Sequence, residues 1–479
     1  MCGQRYWFPF VSCVWLVTAS SWCLADGWPE TQISSGSADD RMPDVAVGAD
    51  GVVHIVFHRE APKSLQYTNN AAGDFATPTA IPLAEPPAGF SRTGFGFPRI
   101  TVASDGTPRI LYMAAYTNYD TLEKKDILYV STLGGDAETV VDNFDLVSVN
   151  EILTDATGTF HVVFMARLAV GQPWHVYYSS GTTEFLGYFQ LSTQTNAAAP
   201  YIALDGDNFP HVSYWANDSG TPKYFYATSR SGSWVSQEVA ETNRLMGTPF
   251  DTRIAATASG NAGIVYQKAF GSSDWDVYFT PFSATGVKGT EELLADSPDR
   301  LHFGGLDADS AGHLHLVYGD EAGNLYYIEN TIGTWSSPSS VTPSGQSGGE
   351  CATYIDSSDI MHVVFRRRLS SSDTDIYLAR HATPTAVCIG DVQMWCTGLH
   401  WALSWRSYRE FAGYRLSGQT NGHWRRVPTV PVKEAVGFGE KTEVTIPGHL
   451  RGITALRLEA ALLDGSRILR RISLPRLQQ

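Results

Sequence analysis

The sequence predicts an all-β chain: a seven-bladed β-propeller closed by an N-terminal strand, followed by a small antiparallel β-sandwich. Three observations predict it. A segment of about fifty residues recurs seven times, most visibly as His54-Ile55-Val56-Phe57, Arg109-Ile110-Leu111-Tyr112, His161-Val162-Val163-Phe164, His211-Val212-Ser213-Tyr214, Gly263-Ile264-Val265-Tyr266, His315-Leu316-Val317-Tyr318 and His362-Val363-Val364-Phe365. Self-similarity at this period marks a repeat architecture, and several short strands per repeat favour a propeller over a helical solenoid. The strands are apolar almost without alternation, as in Tyr201-Ile202-Ala203-Leu204, so both faces must be covered by neighbouring blades. The repeat then vanishes near Ala386.

Each repeat parses into four strands, A to D. Strand A precedes an Asp/Gly-rich turn such as Asp155-Ala156-Thr157-Gly158 or Asp205-Gly206-Asp207-Asn208; strand B is the His-led run; strand C is aromatic, as in Val176-Tyr177-Tyr178; strand D follows starts such as Gly232-Ser233-Trp234. The seventh repeat stops after Ile376-Tyr377-Leu378 with no strand D, while Gly27-Trp28-Pro29-Glu30-Thr31-Gln32-Ile33 reads as a strand D at the other end of the chain. Pairing the two would remove an open sheet edge.

Residues 1–25 carry one early charge, Arg5, then an apolar run ending Cys23-Leu24-Ala25, the form of a secretory signal peptide cut after Ala25; an uncleaved anchor is the alternative. This places the protein outside the cytoplasm, secreted, periplasmic or at the cell surface, with no membrane span once the signal is removed. The 479 residues, 43% of them hydrophobic, allow a propeller over 26–385 and a second domain over 386–479. A monomer is expected. Removing the signal takes Cys2, Cys13 and Cys23, leaving Cys351 and a pair, Cys388 and Cys396, close enough for a short-loop disulfide in an oxidising compartment.

From Asp26 to Thr385 there are 20 Lys+Arg against 42 Asp+Glu, and from Ala386 onward 13 against 7. An acidic propeller argues against a nucleic-acid partner, because phosphate binding needs a basic surface. The repeated histidines sit at equivalent positions in different blades, too far apart to share one zinc ion, so a structural bond to the next blade's backbone is expected and no metal or cofactor is assigned. The Asp/Gly turns offer carboxylates to calcium, but each turn alone has too few oxygens for six to eight ligands, and tight turns need Asp and Gly anyway.

Ligand sites break the symmetry that packing maintains. Where strand A begins beside the central channel, the repeats carry Asp44, Arg99, Glu151, Tyr201, Arg253, Gly305 and Ala352. The B–C loops are expected to add His58, Arg59, Arg167, Trp215, Asn217 and Arg367 on the same face. Carboxylates, guanidinium groups and aromatics around one concavity suit a carbohydrate or a small acidic ligand. The expected function is therefore a secreted module binding a glycan or another envelope or extracellular ligand. Two alternatives are a glycan-cleaving enzyme, using Glu151 or Asp44 as acid/base, Tyr201 as nucleophile or base and Arg99 with Arg253 on a carboxylate, and a protein-interaction scaffold.

Repeats of the form Pro210-His211-Val212-Ser213-Tyr214 resemble the bacterial sialidase-like, BNR-type propellers over residues 27 to about 383. That resemblance implies a glycan-directed channel face. The chain departs from true sialidases, which are six-bladed with Asp-boxes of the form Ser-x-Asp-x-Gly-x-x-Trp: Ser229-Arg230-Ser231-Gly232-Ser233-Trp234 lacks the Asp and the Gly-to-Trp spacing. In the tail, Leu403-Ser404-Trp405, Phe411-Ala412-Gly413-Tyr414-Arg415-Leu416 and Leu458-Glu459-Ala460 resemble the fibronectin type III-like modules of bacterial secreted proteins, which implies an appended sandwich.

Overall fold

A computed structural model describes residues 28–382 apart from short internal stretches, among them 243–251, 270–274, 297–300 and 343–346, together with Val14–Trp15 and the strands between 389 and 473. Among these residues every regular element is a strand, and no helix is long and apolar enough to cross a membrane. Residues Glu30–Arg380 form one compact unit and the strands beyond belong to a second.

The first unit is a seven-bladed propeller of four-stranded antiparallel sheets. Blade 1 begins with Asp40–Val47 and Val53–Glu60, blade 2 with Ser91–Val102 and Pro108–Thr117, and blade 3 with Leu146–Thr154 and Phe160–Arg167. Blade 4 begins with Thr195–Leu204 and Pro210–Asp218, blade 5 with Thr252–Ala256 and Ala262–Ala269, blade 6 with His302–Ala308 and Leu314–Gly319, and blade 7 with Ser347–Ile355 and Ile360–Arg368. Strand A of each blade contacts strand A of the next, and that of blade 7 contacts that of blade 1.

The fourth strand of blade 7 is Glu30–Gln32, antiparallel to Thr374–Ala382 with Thr31 opposite Leu378. Its neighbours tie it down. Gln32 Nε2 donates to Asp375 Oδ2 at 2.8 Å, the Ile376 amide donates to Ser34 Oγ at 2.9 Å, and Ile33 is buried with Val45, Ile376 and Leu378.

The core lies between blades, as the unalternating apolar runs require. Val56, Leu65 and Ile81 of blade 1 pack on Ile110, Tyr112 and Ile127 of blade 2, and Tyr224 and Tyr226 of blade 4 pack on Ile264 and Tyr266 of blade 5. Each A–B turn ends on a left-handed residue, and the set is Gly51, Gly106, Gly158, Asn208, Gly260, Gly312 and Asp359, with φ from 58° to 85°. Glycine, asparagine and aspartate tolerate that conformation, which explains why this position is so restricted across the repeats.

In the second unit Ile389–Thr397, His400–Ser407 and Lys441–Ile446 form one antiparallel sheet, with Val14–Trp15 at its edge. His423–Arg426, Phe411–Thr420, Ala455–Leu462 and Arg467–Ser473 form another. Cys388 lies outside the described residues, as does the side chain of Cys396, so the expected disulfide does too.

Candidate functional site

What places polar side chains in the channel is an irregularity in strand A. Its pairing with strand B slips just before the channel-facing residue: between Arg41 and Asp44, Gly96 and Arg99, Val149 and Glu151, Ala198 and Tyr201, and Phe303 and Gly305. A bulge adds a residue to one strand and re-aims the next side chain. Two residues before Asp44, Arg99 and Tyr201, the non-glycine residues Met42, Phe97 and Ala199 hold φ of 53°, 55° and 50°. Such a conformation costs on the order of 1 kcal/mol or more for each residue and persists only where surrounding structure imposes it.

The residues after these bulges line one cavity of about 260 Å³. Asp44, Arg99, Glu151, Tyr201 and Arg253 reach it from blades 1 to 5, while the equivalent positions of blades 6 and 7 are Gly305 and Ala352, and the Thr353 side chain packs against Gly305 where a Cβ would stand. Arg253 lies flat on the Tyr201 ring, its guanidinium carbon 3.7 Å from the ring centroid. Its N–H groups donate to backbone carbonyls: Nε to Gly304 at 3.2 Å, Nη1 to Thr252 at 2.9 Å and Nη2 to Phe303. Arg253 is thus a strut between blades 5 and 6 as well as a channel wall. Arg99 donates from Nη1 to the Pro98 carbonyl at 3.1 Å, and its Nε lies 3.9 Å from Glu151 Oε2. Asp44 Oδ2 accepts from the Ile100 amide of the next blade at 2.7 Å.

These groups are walled in by protein, yet Arg99 and Glu151 keep 20% and 21% of their side-chain exposure through the channel. Burial raises the Asp44 carboxyl to about 6 against the pull of Arg99. Burial and the neighbouring Asp44 raise Glu151 to about 8, again opposed by Arg99.

Two further wall residues, Asp307 and Thr353, escaped the sequence reading. Asp307 follows Gly305 by two on strand A of blade 6, and residues two apart share a face of a strand; that alternation was the available signal. Thr353 Oγ1 donates to the Asp307 carboxylate, whose pKa burial raises.

The residues expected on B–C loops sit elsewhere. Strand B runs on through them, to Glu60 in blade 1, Arg167 in blade 3, Asp218 in blade 4 and Arg368 in blade 7, so they are strand ends fixed by packing. Arg59 holds the wholly buried Asp40 with two hydrogen bonds, 2.8 and 2.7 Å. Arg167 pairs with Asp145 at 3.1 Å and covers the Trp174 ring; Arg367 pairs with Glu30 at 2.7 Å and covers the Tyr377 ring. Trp215 is completely buried with Tyr224, Tyr226 and Tyr266, a core residue and no stacking platform. Asn217 Oδ1 accepts from the Gly220 amide at 2.8 Å and so shapes its own turn. His58 is buried edge-on to Phe95 with Nδ1 3.7 Å from Glu60 Oε1, and burial lowers its pKa. None of these six lines the cavity.

The repeated histidine does serve the repeat, but its bonds stay within its own blade. His161 and His211 each place Nε2 3.2 and 3.1 Å from the turn carboxylates Asp155 and Asp205, and Nδ1 2.7 Å from the hydroxyls of Tyr178 and Tyr226 on strand C. The other oxygen of each turn Asp accepts backbone amides, as Asp205 Oδ1 does from Asp207 and Phe209 at 2.9 Å. Turn carboxylates engaged in this way are poor donors for calcium. Among the described residues no group of three or more His, Cys, Asp or Glu is arranged to hold a metal ion.

No family model and no curated protein matches the chain. Solved structures similar to it include the polysaccharide lyase Uly1, at 13% identity with 79% of this chain and 93% of that chain covered and a TM-score of 0.47. The GH93 α-L-arabinofuranosidase of Fusarium graminearum stands at 10%, 75% and 98% with 0.42, and the six-bladed fucose-recognising lectin of Aleuria aurantia at 14%, 66% and 100% with 0.36. Likeness at this level says nothing about ligand or reaction.

Proposed function

We propose that the chain is a secreted binding module whose propeller takes one sugar ring, or a polar ligand of that size, at the channel. The observation that carries this reading is the convergence of Asp44, Arg99, Glu151, Tyr201 and Arg253, from five successive blades, on one cavity of about 260 Å³. A repeat maintained only for packing would keep like residues at that position; here it carries two acids, two arginines and a tyrosine, four of the five on a strained or bulged segment. Pockets for drug-sized ligands start at about 300 Å³, so this one has the size for a single ring or chain end.

A second reading is a glycan-cleaving enzyme. It is favoured by Glu151, which burial keeps protonated near neutral pH as a general acid would be, beside the more acidic Asp44.

The test is calorimetric titration of the full chain with a panel of neutral, acidic and amino monosaccharides, run beside reducing-end release from mixed polysaccharides. Ala352→Leu enlarges a lining side chain without touching a charge. It is expected to abolish binding while leaving the melting temperature within about 2 °C, and undiminished binding by that variant would move the site off the channel. Reducing-end release that Glu151→Gln removes would replace the binding reading with the enzymatic one.

A further inference from the structure

Blade 5 breaks the repeat in a second place, beside its A–B turn. Blades 3, 4 and 6 carry an aspartate, a histidine and a tyrosine bonded to one another; at the same turn and pairing positions blade 5 has Thr257, Gly263 and Phe279. Every other blade keeps at least one of the three. Gly263 and Phe279 depart together: a Cβ on residue 263 would stand 2.5 Å from Phe279 Cε2 and 2.8 Å from Leu314 Cδ1, so the phenyl ring lies over bare backbone. A cavity of about 540 Å³ opens there between blades 5 and 6, and it shares no lining residue with the channel.

Phe279, Phe282 and Leu314 form apolar walls, Trp335 of blade 6 stands edge-on to Phe279 with ring centroids 5.2 Å apart, and Val287 at the rim is 65% exposed. Most of the polar lining is engaged with protein. Thr257 Oγ1 donates to the Asn261 carbonyl at 3.3 Å, Asn261 Oδ1 accepts the Ala284 amide at 2.9 Å, and Lys288 Nζ donates to the Val239 carbonyl. Asn330 Oδ1 accepts the Leu314 amide at 2.7 Å, while its side-chain nitrogen has no hydrogen-bond partner among the described residues. Glu292 adds a negative charge to the lining.

A sugar ring here would exchange the hydration of hydroxyls on every side for very few partners. A flat hydrocarbon has no such loss and gains contact with the phenyl rings. We infer that the cleft between blades 5 and 6 is a second ligand site, for a neutral aromatic compound of one or two rings whose oxygen accepts from Asn330. Its volume lies within the range of about 300 to 1,000 Å³ usual for small-molecule pockets. Replacing all partners of a buried hydrogen bond by apolar groups is nearly neutral, so blade 5 loses its relay at little cost, and the wall is cleared of polar atoms that an aromatic ligand would leave unpaired.

The experiment is calorimetric titration of the full chain with β-naphthol and with its anionic counterpart β-naphthoate, each repeated in excess D-glucose. β-Naphthol is expected to bind saturably, about tenfold more tightly than β-naphthoate, and to keep its affinity when the sugar is present. Val287→Trp fills the cavity from its exposed rim and should weaken β-naphthol by about tenfold or more while leaving the ligand-free melting curve in place. Gly263→Ala displaces Phe279 and Leu314, two of the walls, and gives the same reading should Val287→Trp fold poorly. Ala352→Leu, in the channel, should leave β-naphthol binding unchanged. Absence of saturable binding, undiminished affinity in both cleft variants, or loss in Ala352→Leu overturns the site. Displacement by D-glucose, or β-naphthoate bound as tightly as β-naphthol, overturns the ligand class.

Discussion

At the scale of single residues, the most repeated chemistry in the chain is a buried Asp–His–Tyr relay. A carboxylate only accepts, so His211 Nε2 donates to Asp205; burial keeps the imidazole neutral, leaving Nδ1 to accept from the Tyr226 hydroxyl. The relay links the A–B turn, strand B and strand C of one blade. In blade 7 the residue aligned with the tyrosine is Leu378, and His362 Nδ1 has no hydrogen-bond partner among the described residues, although Nε2 still bonds Asp356 at 2.9 Å. Tyr226→Phe should reproduce that defect in blade 4. It removes one hydroxyl, leaves a buried nitrogen unsatisfied and is expected to cost about 1–2 kcal/mol in chemical denaturation, with little change in shape. A cost near zero would show that the imidazole reorients or that water reaches it, and would reduce the relay to a packing pattern.

At the scale of the strand, two devices make this propeller: the bulge that aims strand A into the channel, and the N-terminal strand Glu30–Gln32 on blade 7. Deleting Glu30–Ser34 tests the second while sparing Asp39 and Asp40, which hold Thr374 and Arg59. The deletion exposes Ile376 and Leu378, separates Arg367 from Glu30 and Asp375 from Gln32, and removes the buried Ile33. Burial of Ile33 is worth about 2 kcal/mol and each lost hydrogen bond about 1, so a loss of about 5 kcal/mol, roughly 10 °C, is expected in a melting experiment. Unchanged melting would mean that this strand merely lies on the blade. Strand count, turn positions and the channel ring from Asp44 to Ala352 were legible in the sequence because a fixed period reports them seven times over. Arg59, Arg167, Trp215 and Arg367 were placed on loops because periodicity does not say where strand B stops. A residue assigned to a solvated loop reads as available, whereas the same residue on a strand end is occupied, Arg59 by Asp40 and Arg367 by Glu30. Asp307 was missed for a different reason: attention went to one position per repeat, and the channel is walled by two layers.

At the scale of the whole molecule, the buried titratable groups oppose one another across the pH range. Burial depresses the pKa of His54, His161 and His211. Their contribution is therefore complete above the unfolded value of about 6.5 and is lost as pH falls below it. Asp155, Asp205 and Asp356 are held below the usual carboxylate range because hydrogen bonds from histidine and turn amides outweigh burial, so their contribution is present above about pH 4 and lost below. The raised carboxyls run the other way. Burial takes Asp44, Asp126 and Asp375 to about 6, and burial with repulsion from Asp44 takes Glu151 to about 8. Such groups favour the fold fully only below about pH 4, and their contribution is lost as pH rises through the folded values. Above about pH 7 the histidines and the low aspartates are fully expressed and the carboxyls at about 6 have largely ionised, so the group still changing most is Glu151, facing Asp44, Arg99 and Arg253. Stability should therefore decline between about pH 6.5 and 9. Glu151→Gln keeps the shape and cannot ionise, so its stability should fall far less over that interval and exceed that of the natural chain at pH 9 by an amount on the order of 1–3 kcal/mol, reduced from the full linkage value by water in the channel. A variant that keeps the natural slope would show that Glu151 is ionised at neutral pH alongside Arg99. That outcome would remove the general-acid reading and leave the channel as a site that binds.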